Sequence, residues 1–395
     1  QKKKKLTVVC WPHPGPMEII SGDSIISRLI AQNVRHVGLS DIYEGLLSRG
    51  NTSDIYIRDH DGTEGETVGE IRRLFPNAVL IGLVRVSGME FRPMLNIPDE
   101  SVIEKTDRIV LLANSYSATE PLKEPARASS LPPANRSNGN NSPLKPPVRV
   151  KKRLLILGWN NRLPALISEF GSYEDRDIEV TMVSVLSVDE RKKLVDQHGG
   201  FTDNVSCNYK KADYIVEAQL RGLDPGGYDH IILLSSSILE DTHEADARTI
   251  VGKVLLEEIL QGHEKRPQII IELANPDNSS LVGGAGTEMI VSPVILSHLL
   301  AQVALRRELQ SIYTELFTVG GAEIEFRDPA RYGIKPGNYT FREIAHIARE
   351  FGETALGVCK NKKSAKLKNR LILNPPKDNQ LTITENDDLV VMMTY

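Results

Sequence analysis

The sequence is poor in cysteine, in net charge and in long apolar runs, and each shortage excludes a class of protein. Its three cysteines, Cys10, Cys207 and Cys359, lie far apart and show no CxxC spacing, which argues for a reducing compartment and against a structural zinc site. No apolar run approaches the roughly 18 residues that a membrane-spanning helix needs. The formal net charge is −4, with both signs mixed along the chain, so no nucleic-acid-binding surface is expected.

The remaining composition is typical of a globular protein. The chain has 395 residues, of which 40% are hydrophobic and 25% are charged, and this length suffices for two or three domains with their own cores. Residue 1 is Gln, and the first apolar stretch, residues 6–11, resembles a late strand of a domain. We therefore expect further sequence upstream.

One stretch of the sequence occurs twice. Residues 18–47 and 288–317 align with residue numbers that differ by 270. The aligned identities include Glu18 with Glu288, Ile25 with Ile295, Ser27 with Ser297, Gln32 with Gln302, Leu39 with Leu309, and Tyr43 with Tyr313. Identity at a fixed offset indicates a duplicated unit. Apolar residues recur at helical spacing in each copy, so we predict two helices joined by a sharp turn, near Gly38 and near Arg306–Glu308.

A proline-rich segment separates two parts that share one order of elements. Seven prolines lie between positions 121 and 147, a composition that cannot build a core and predicts a linker. From Arg153 onward, strands alternate with helices, which predicts a parallel, doubly wound sheet. The repeated helices follow that sheet, and a second strand-rich region follows them, in which residues 324–328 match residues 55–59.

The turn after the first strand of this sheet is where a dinucleotide fold carries its glycine fingerprint. Only Gly158 is present, and Trp159, Asn160 and Asn161 follow it, where bulky side chains would keep the backbone away from a pyrophosphate. The next strand ends in Val185 and Leu186 instead of an acid for the ribose. We therefore expect no NAD binding. A degenerate dehydrogenase is a weaker alternative, because the sequence shows neither a catalytic acid–base pair nor a cofactor fingerprint.

A group of acidic residues lies where a later strand leads into a helix. The group comprises Glu240, Asp241, Glu244 and Asp246. Carboxylates in a first helical turn interact favourably with the helix dipole, so capping alone is one interpretation. Clustered oxygen ligands on the ligand-binding side of an open sheet would also suit Ca²⁺, and this is the metal site that we predict.

Short motifs complete a resemblance to a known family. The order of sheet lobe, crossover helix pair and small β-rich C-lobe resembles the RCK (regulator of K⁺ conductance) unit. Asp107 and Asp387 stand at the acidic position that opens that family's closing strand. Within this group, Gly158-Trp159, Asp189–Lys193 and the Glu240-Asp241 pair are similar to the soluble part of the CASTOR/POLLUX ion channels. The chain departs from the plant pattern at Val185, where an acid is expected, and at Asn160-Asn161, where basic residues are expected.

The resemblance implies an α/β fold of tandem RCK units with a Rossmann-like parallel sheet lobe, in which the first unit lacks most of its sheet lobe. The expected divisions are residues 1–50, the last strand and crossover helices of the first sheet lobe; 51–115, the first C-lobe; 116–151, the linker; 152–317, the second sheet lobe with its crossover helices; and 318–395, the second C-lobe.

The implied function is regulatory and not enzymatic. The chain would form a gating ring on the cytosolic or nucleoplasmic side of a membrane, as a homo-oligomer, a tetramer by expectation, joined to its own transmembrane pore domain. That membrane would be the plasma membrane in bacteria or the nuclear envelope in plants. The ring would sense an ion, with Ca²⁺ favoured, and open a cation pore. The alternative is a nucleotide-binding, TrkA-like regulatory subunit of a K⁺ transporter.

Overall fold

The computed structural model describes most of the chain in twelve ranges. These are residues 20–36, 38–47, 53–60, 62–88, 90–123, 150–173, 176–197, 202–236, 242–282, 287–318, 320–361 and 370–394. The strand predicted at residues 6–11 and most of the predicted linker lie outside them. Among the described helices, none is both long enough and apolar enough to cross a bilayer.

The first unit consists of a helix pair followed by a C-lobe. Its elements are α1 (Gly22–Arg35), α2 (Leu39–Leu47), β1 (Asp54–Asp59), α3 (Val68–Arg72), β2 (Ala78–Ser87), β3 (Glu90–Leu95) and β4 (Asp107–Ala113). Gly38 makes the predicted turn between the helices with φ +94°, a conformation that glycine adopts without a steric penalty. The four strands form an antiparallel sheet in the order β1-β4-β2-β3.

The second unit begins with the predicted parallel sheet. Its elements are β5 (Val150–Leu157), α4 (Leu163–Gly171), β6 (Arg176–Ser184), α5 (Val188–Asp196), β7 (Val205–Lys211), α6 (Glu217–Arg221), β8 (His230–Leu233), α7 (Thr242–Ile259), β9 (Gln268–Leu273) and β10 (Thr287–Val291). The order β10-β9-β8-β5-β6-β7 is that of a doubly wound dinucleotide-binding fold, with its switch point between β5 and β8. The central strands are buried on both faces, as expected of a parallel sheet.

A second helix pair and C-lobe follow. Their elements are α8 (Ser292–Leu305), α9 (Glu308–Phe317), β11 (Ala322–Arg327), β12 (Gly337–Thr340), α10 (Phe341–Glu350), β13 (Thr354–Cys359), β14 (Leu371–Leu373), β15 (Gln380–Ile383) and β16 (Asp388–Thr394). The sheet order β11-β16-β13-β14 repeats that of the first C-lobe, and β12 pairs with β15. The α/β fold class is therefore confirmed. One detail of the repeat is corrected: residues 288–291, which open its second copy, belong to strand β10 and not to a helix, because they pair in parallel with β9.

The two C-lobes are duplicates down to the register of their strands. Ile57 pairs with Val110 in the first, and Phe326 pairs with Val390 in the second. Both central strands are irregular at a glycine, Gly82 in β2 and its counterpart Gly357 in β13. A Cβ at either glycine would lie 2.3 Å or 2.1 Å from a backbone oxygen of the neighbouring strand. The close approach of strands at this bulge therefore requires glycine in both copies.

The duplicated C-lobes contact each other with pseudo-twofold symmetry. Asn96 and Asn374 occupy equivalent positions and share a left-handed backbone, with φ of 50° and 43°. Asn96 Nδ2 donates to the carbonyl of Gly352 at 2.8 Å, and Asn374 Nδ2 donates to the carbonyl of Asn77 at 2.9 Å. Each asparagine thus holds the turn before the other lobe's central strand.

The two helix pairs also pack against each other, as the apolar stripes of the repeat predicted. Gln32 Nε2 donates to the carbonyl of Leu316 at 3.2 Å, and Tyr43 donates to Gln32 Oε1 at 2.7 Å. The ring of Tyr43 meets that of Phe317 edge to face, with centroids 5.1 Å apart. This helix-pair interface, formed by α1, α2, α8 and α9, joins both units through one continuous core.

Equivalent faces of α1 and α8 differ in what covers them. Helix α1 packs on α4 of the second sheet lobe, where Ser27 Oγ donates to the carbonyl of Arg162 and Arg28 pairs with Glu169. Ile30 is therefore 1% exposed, whereas its counterpart Leu300 on α8 is 54% exposed. The part of the chain that the structure describes contains no counterpart of α4 to cover Leu300.

Candidate functional site

The switch point of the parallel sheet is the usual ligand site of this topology, and here protein side chains fill much of it. Gly158 turns the chain with φ +99°, and a Cβ there would lie 2.7 Å from the carbonyl of Leu234. Trp159 and Asn160, the next two residues, are both buried. The strand end is thus closed by side chains at the place where a dinucleotide fold leaves its backbone open to a pyrophosphate.

A buried polar network ties this turn to the end of β9. Asn160 Nδ2 donates to Glu272 Oε2 at 2.8 Å and to the carbonyl of Ser235 at 3.2 Å. The other oxygen of Glu272 accepts from Ser292 Oγ at 2.7 Å and pairs with Arg162 at 2.5 Å. Burial raises the pKa of Glu272, and Arg162 opposes that shift. Both oxygens of this carboxylate have protein donors, so Glu272 links the turn after β5 to the start of α8.

A small cleft of about 250 Å³ lies beside this network. Its lining includes Asp23, Trp159, Asn161, Pro164 and Leu194. This volume is below the roughly 300 Å³ at which pockets for small ligands begin. At the end of β6, Val185 is exposed and no acid stands there, as the sequence indicated.

The structure places the two described members of the predicted acidic group, Glu244 and Asp246, in different environments. Glu240 and Asp241 lie outside the described residues. Glu244 is exposed in the first turn of α7, whereas Asp246 is fully buried. The group therefore does not present all four carboxylates to one solvent-facing site in the manner that its sequence spacing suggested, and Ca²⁺ binding there stays a prediction.

The carboxylate of Asp246 binds the loop that follows β9. Its Oδ1 accepts from the amide of Ala274 at 2.8 Å and from Ser235 Oγ at 3.1 Å. Its Oδ2 accepts from the amide of Asn275 at 2.8 Å and from Asn278 Nδ2 at 3.0 Å. Four donors satisfy a buried carboxylate, so Asp246 positions the loop beside the predicted site.

Asp107 and Asp387, which carried part of the family resemblance, have equivalent structural roles. Both are buried at the start of the closing strand. Asp107 accepts from the amide of Glu104, and Asp387 accepts from the amide of Thr384, each at 2.9 Å. A basic side chain completes each site, Arg85 in the first C-lobe at 2.8 Å and Lys360 in the second. These acids close the turn into the last strand.

A cluster that the sequence analysis missed joins the two units. Within the described ranges, His36, Glu323 and Glu325 form the group of potential metal ligands whose donor atoms all lie within 4.8 Å of one another. His36 ends α1 in the first unit, and the glutamates lie on β11 in the second C-lobe. We call these residues the His36 cluster. Two glutamates two positions apart share a strand face, but no local spacing could predict a histidine nearly 290 residues away.

With this geometry in hand, comparisons with known proteins identify the relatives of the chain. A family model described as Castor and Pollux, part of voltage-gated ion channel, matches residues 23–127. The ion channel CASTOR of Lotus japonicus is 24% identical over 91% of this chain. The probable ion channel POLLUX of Oryza sativa subsp. japonica is 22% identical over 96% of it. These matches confirm the resemblance to the CASTOR/POLLUX family.

The CASTOR and POLLUX matches extend over both units, but the chain spans only 44% and 41% of the length of these two relatives. The human SLO3 gating ring has the same fold, with a TM-score of 0.68 at 15% sequence identity, and it covers 95% of this chain and 76% of its own. The predicted fold, with a parallel sheet lobe, crossover helix pairs and β-rich C-lobes, is therefore confirmed. The division of the chain into domains stays a prediction.

Proposed function

We propose that this chain is the regulatory, non-enzymatic gating-ring region of a CASTOR/POLLUX-like cation channel. Four copies would form a ring joined to their own pore domains, on the cytosolic or nucleoplasmic side of the membrane. The observation that supports this most strongly is the pseudo-twofold pairing of two RCK units through the helix-pair interface. Because the two units share one continuous core, a change in one lobe would be transmitted to its neighbours.

The exposed face of α8 supports a larger assembly. Leu300 and Leu305 are 54% and 68% exposed, and Leu296 is partly so, although the equivalent face of α1 is buried by α4. An apolar helix face without a cover is unusual in an isolated protein. We propose that a sheet lobe of the first unit covers this face in the full-length protein, as α4 covers α1 here.

Ion sensing is the proposed regulatory input. Glu240, Asp241 and Glu244 would supply oxygen ligands to Ca²⁺, and Asp246 would hold the adjoining loop in place. Ca²⁺ would bind the open ring more tightly than the closed ring. The ratio of these two affinities would set how far the equilibrium shifts toward the open pore. The side chains that fill the switch point favour this ion over a nucleotide.

A thermal-shift series on this chain with Ca²⁺, K⁺, NAD(H) and ATP tests the proposed ligand. We expect Ca²⁺ to raise the melting temperature and NAD(H) and ATP to leave it unchanged. The Asp241→Asn variant should lose the response, whereas Asp189→Asn should retain it, because Asp189 is an exposed acid in the first turn of another helix of the same lobe. An equal Ca²⁺ response in both variants would exclude the site.

The alternative function is a nucleotide-binding, TrkA-like transporter regulator. The strand order of the parallel sheet and the cleft beside Trp159 favour it. The same series separates the two functions, because stabilisation by NAD(H) or ATP without a response to Ca²⁺ would establish the alternative.

A further inference from the structure

The His36 cluster brings three metal-ligating side chains together from two distant parts of the chain. Nε2 of His36 lies 3.1 Å from Glu325 Oε1, and both glutamates are nearly inaccessible to solvent. That nitrogen is itself shielded from solvent and makes no hydrogen bond of acceptable geometry among the described residues. A buried ring nitrogen directed at carboxylates, without a hydrogen bond, has the arrangement of a ligand lone pair.

Two arginines surround the cluster from outside. Arg35 Nη1 contacts both oxygens of Glu323, at 2.9 and 2.8 Å. Arg327 Nη2 lies 2.5 Å from Glu325 Oε2. These contacts compensate the two buried charges, and they leave Glu325 Oε1 turned toward His36. Carboxylates that ligate metals are commonly held by such outer donors, which orient them.

We propose that His36, Glu323 and Glu325 bind a divalent transition-metal ion, with Zn²⁺ as the best fit. One imidazole and two carboxylates are donors that suit this ion, and three protein ligands leave a fourth position for water. Ca²⁺ fits less well because it prefers six or more oxygen ligands. The ion would tie the end of α1 in the first unit to β11 in the second C-lobe. The site is separate from the proposed Ca²⁺ site and does not depend on channel function.

The duplication provides an internal control for the number of sites. The equivalent positions in the other half of the molecule are Arg306, Asp54 and Tyr56. Arg306 donates to the carbonyl of Ile57 at 3.2 Å, so a cation already stands where the histidine would be. The structure therefore predicts one metal ion per chain and not two.

Calorimetric titration of the chelator-treated chain with Zn²⁺ tests the site. We expect one equivalent to bind, and His36→Gln and Glu325→Gln should each weaken the affinity at least tenfold. His346→Gln is the matched control, because His346 is an exposed histidine that lies 3.7 Å from Glu350, and it should bind as the wild type does. Ca²⁺ at the same concentrations should leave the Zn²⁺ isotherm unchanged.

Absence of Zn²⁺ binding, or equal affinity in the wild type and both variants, would overturn the proposal. If neither variant folds, X-ray absorption at the zinc edge of the wild-type complex decides the question. One imidazole with oxygen ligands supports the site, whereas oxygen ligands alone or several imidazoles contradict it. Loss of Zn²⁺ binding with an intact Ca²⁺ response would leave the proposed channel function standing.

Discussion

At the scale of single residues, buried charges in this protein bind loops and lobes together. Asp246 is the clearest case, because its four donors come from the end of β8 and from the loop after β9. Replacing it with asparagine would turn an amide group toward at least one backbone N–H. We expect Asp246→Asn to lower the free energy of unfolding by about 2 kcal/mol or more.

Glu244→Gln is the control for this change, since Glu244 is exposed in the same helix. Urea denaturation should show a loss of less than about 0.5 kcal/mol for the control. Equal stability of the two variants would show that the Asp246 carboxylate does not hold the loop.

Lys377 gives the protein a pH-dependent stability. Burial, together with Arg72 and Arg342, lowers the pKa of Lys377 from its ordinary 10.5 to about 7, and its Nζ donates to the carbonyl of Phe75. Between these two values the unfolded chain binds the proton that the folded chain has lost, so stability rises with pH. Below about pH 7, Lys377 is charged in both the folded and the unfolded chain, so the cost of burying its charge destabilises the fold in full.

The Lys377→Met variant should lack this rise. Between pH 7 and pH 9 the wild type should become more stable as Lys377 loses its proton. The melting temperature of the variant should therefore fall relative to that of the wild type. A constant difference across that range would contradict the shifted pKa.

At the scale of elements, sequence periodicity correctly predicted the helices, strands and turns whose formation depends on nearby residues. It predicted the parallel sheet, the turn at Gly38 and the two helices of each repeat. It did not predict β3 or β10, because both are edge strands that are ordered by pairing with a neighbour. Nor could it divide the acidic group, since the burial of Asp246 depends on a loop about 30 residues away.

The glycines at the paired bulges give an element-scale test of the duplication. Gly82→Ala and Gly357→Ala place a Cβ within 2.3 Å and 2.1 Å of the carbonyls of Met94 and Ile372. Backbone atoms cannot yield cheaply, so we expect each variant to lose about 2 kcal/mol or more in denaturant unfolding. Gly337→Ala is the control and should have little effect, because a Cβ there would lie 3.6 Å from its nearest neighbouring atom, an ordinary contact. A harmless change at either bulge would show that the close strand approach is not required.

At the scale of the whole molecule, the two duplicated units meet at the helix-pair interface. They differ in one helix face, which is buried on α1 and exposed on α8. Ile30 and Leu300 are equivalent, yet only Ile30 is buried. Ile30→Asp should strongly destabilise this chain, because it buries a carboxylate without a partner. Leu300→Asp should leave its melting temperature nearly unchanged and should weaken assembly of the full-length protein. Equal destabilisation of this chain by both changes would contradict the difference between the faces.

The helix-pair interface should respond symmetrically to charge. Leu39 and Leu309 are equivalent and each is 1% exposed. Leu39→Asp and Leu309→Asp should therefore lower the melting temperature by similar amounts. A large effect from one change alone would show that the two halves do not contribute equally to the interface.

Single-channel recording of the full-length protein in a planar bilayer tests the gating-ring function most directly. Ca²⁺ would be varied on the side that faces this chain, for the wild type and for Asp241→Asn. If the chain is a regulatory module that senses Ca²⁺, open probability rises with Ca²⁺ in the wild type, and the variant keeps its conductance but loses the response. Currents that do not depend on Ca²⁺ in the wild type, or an unchanged response in the variant, would contradict this function.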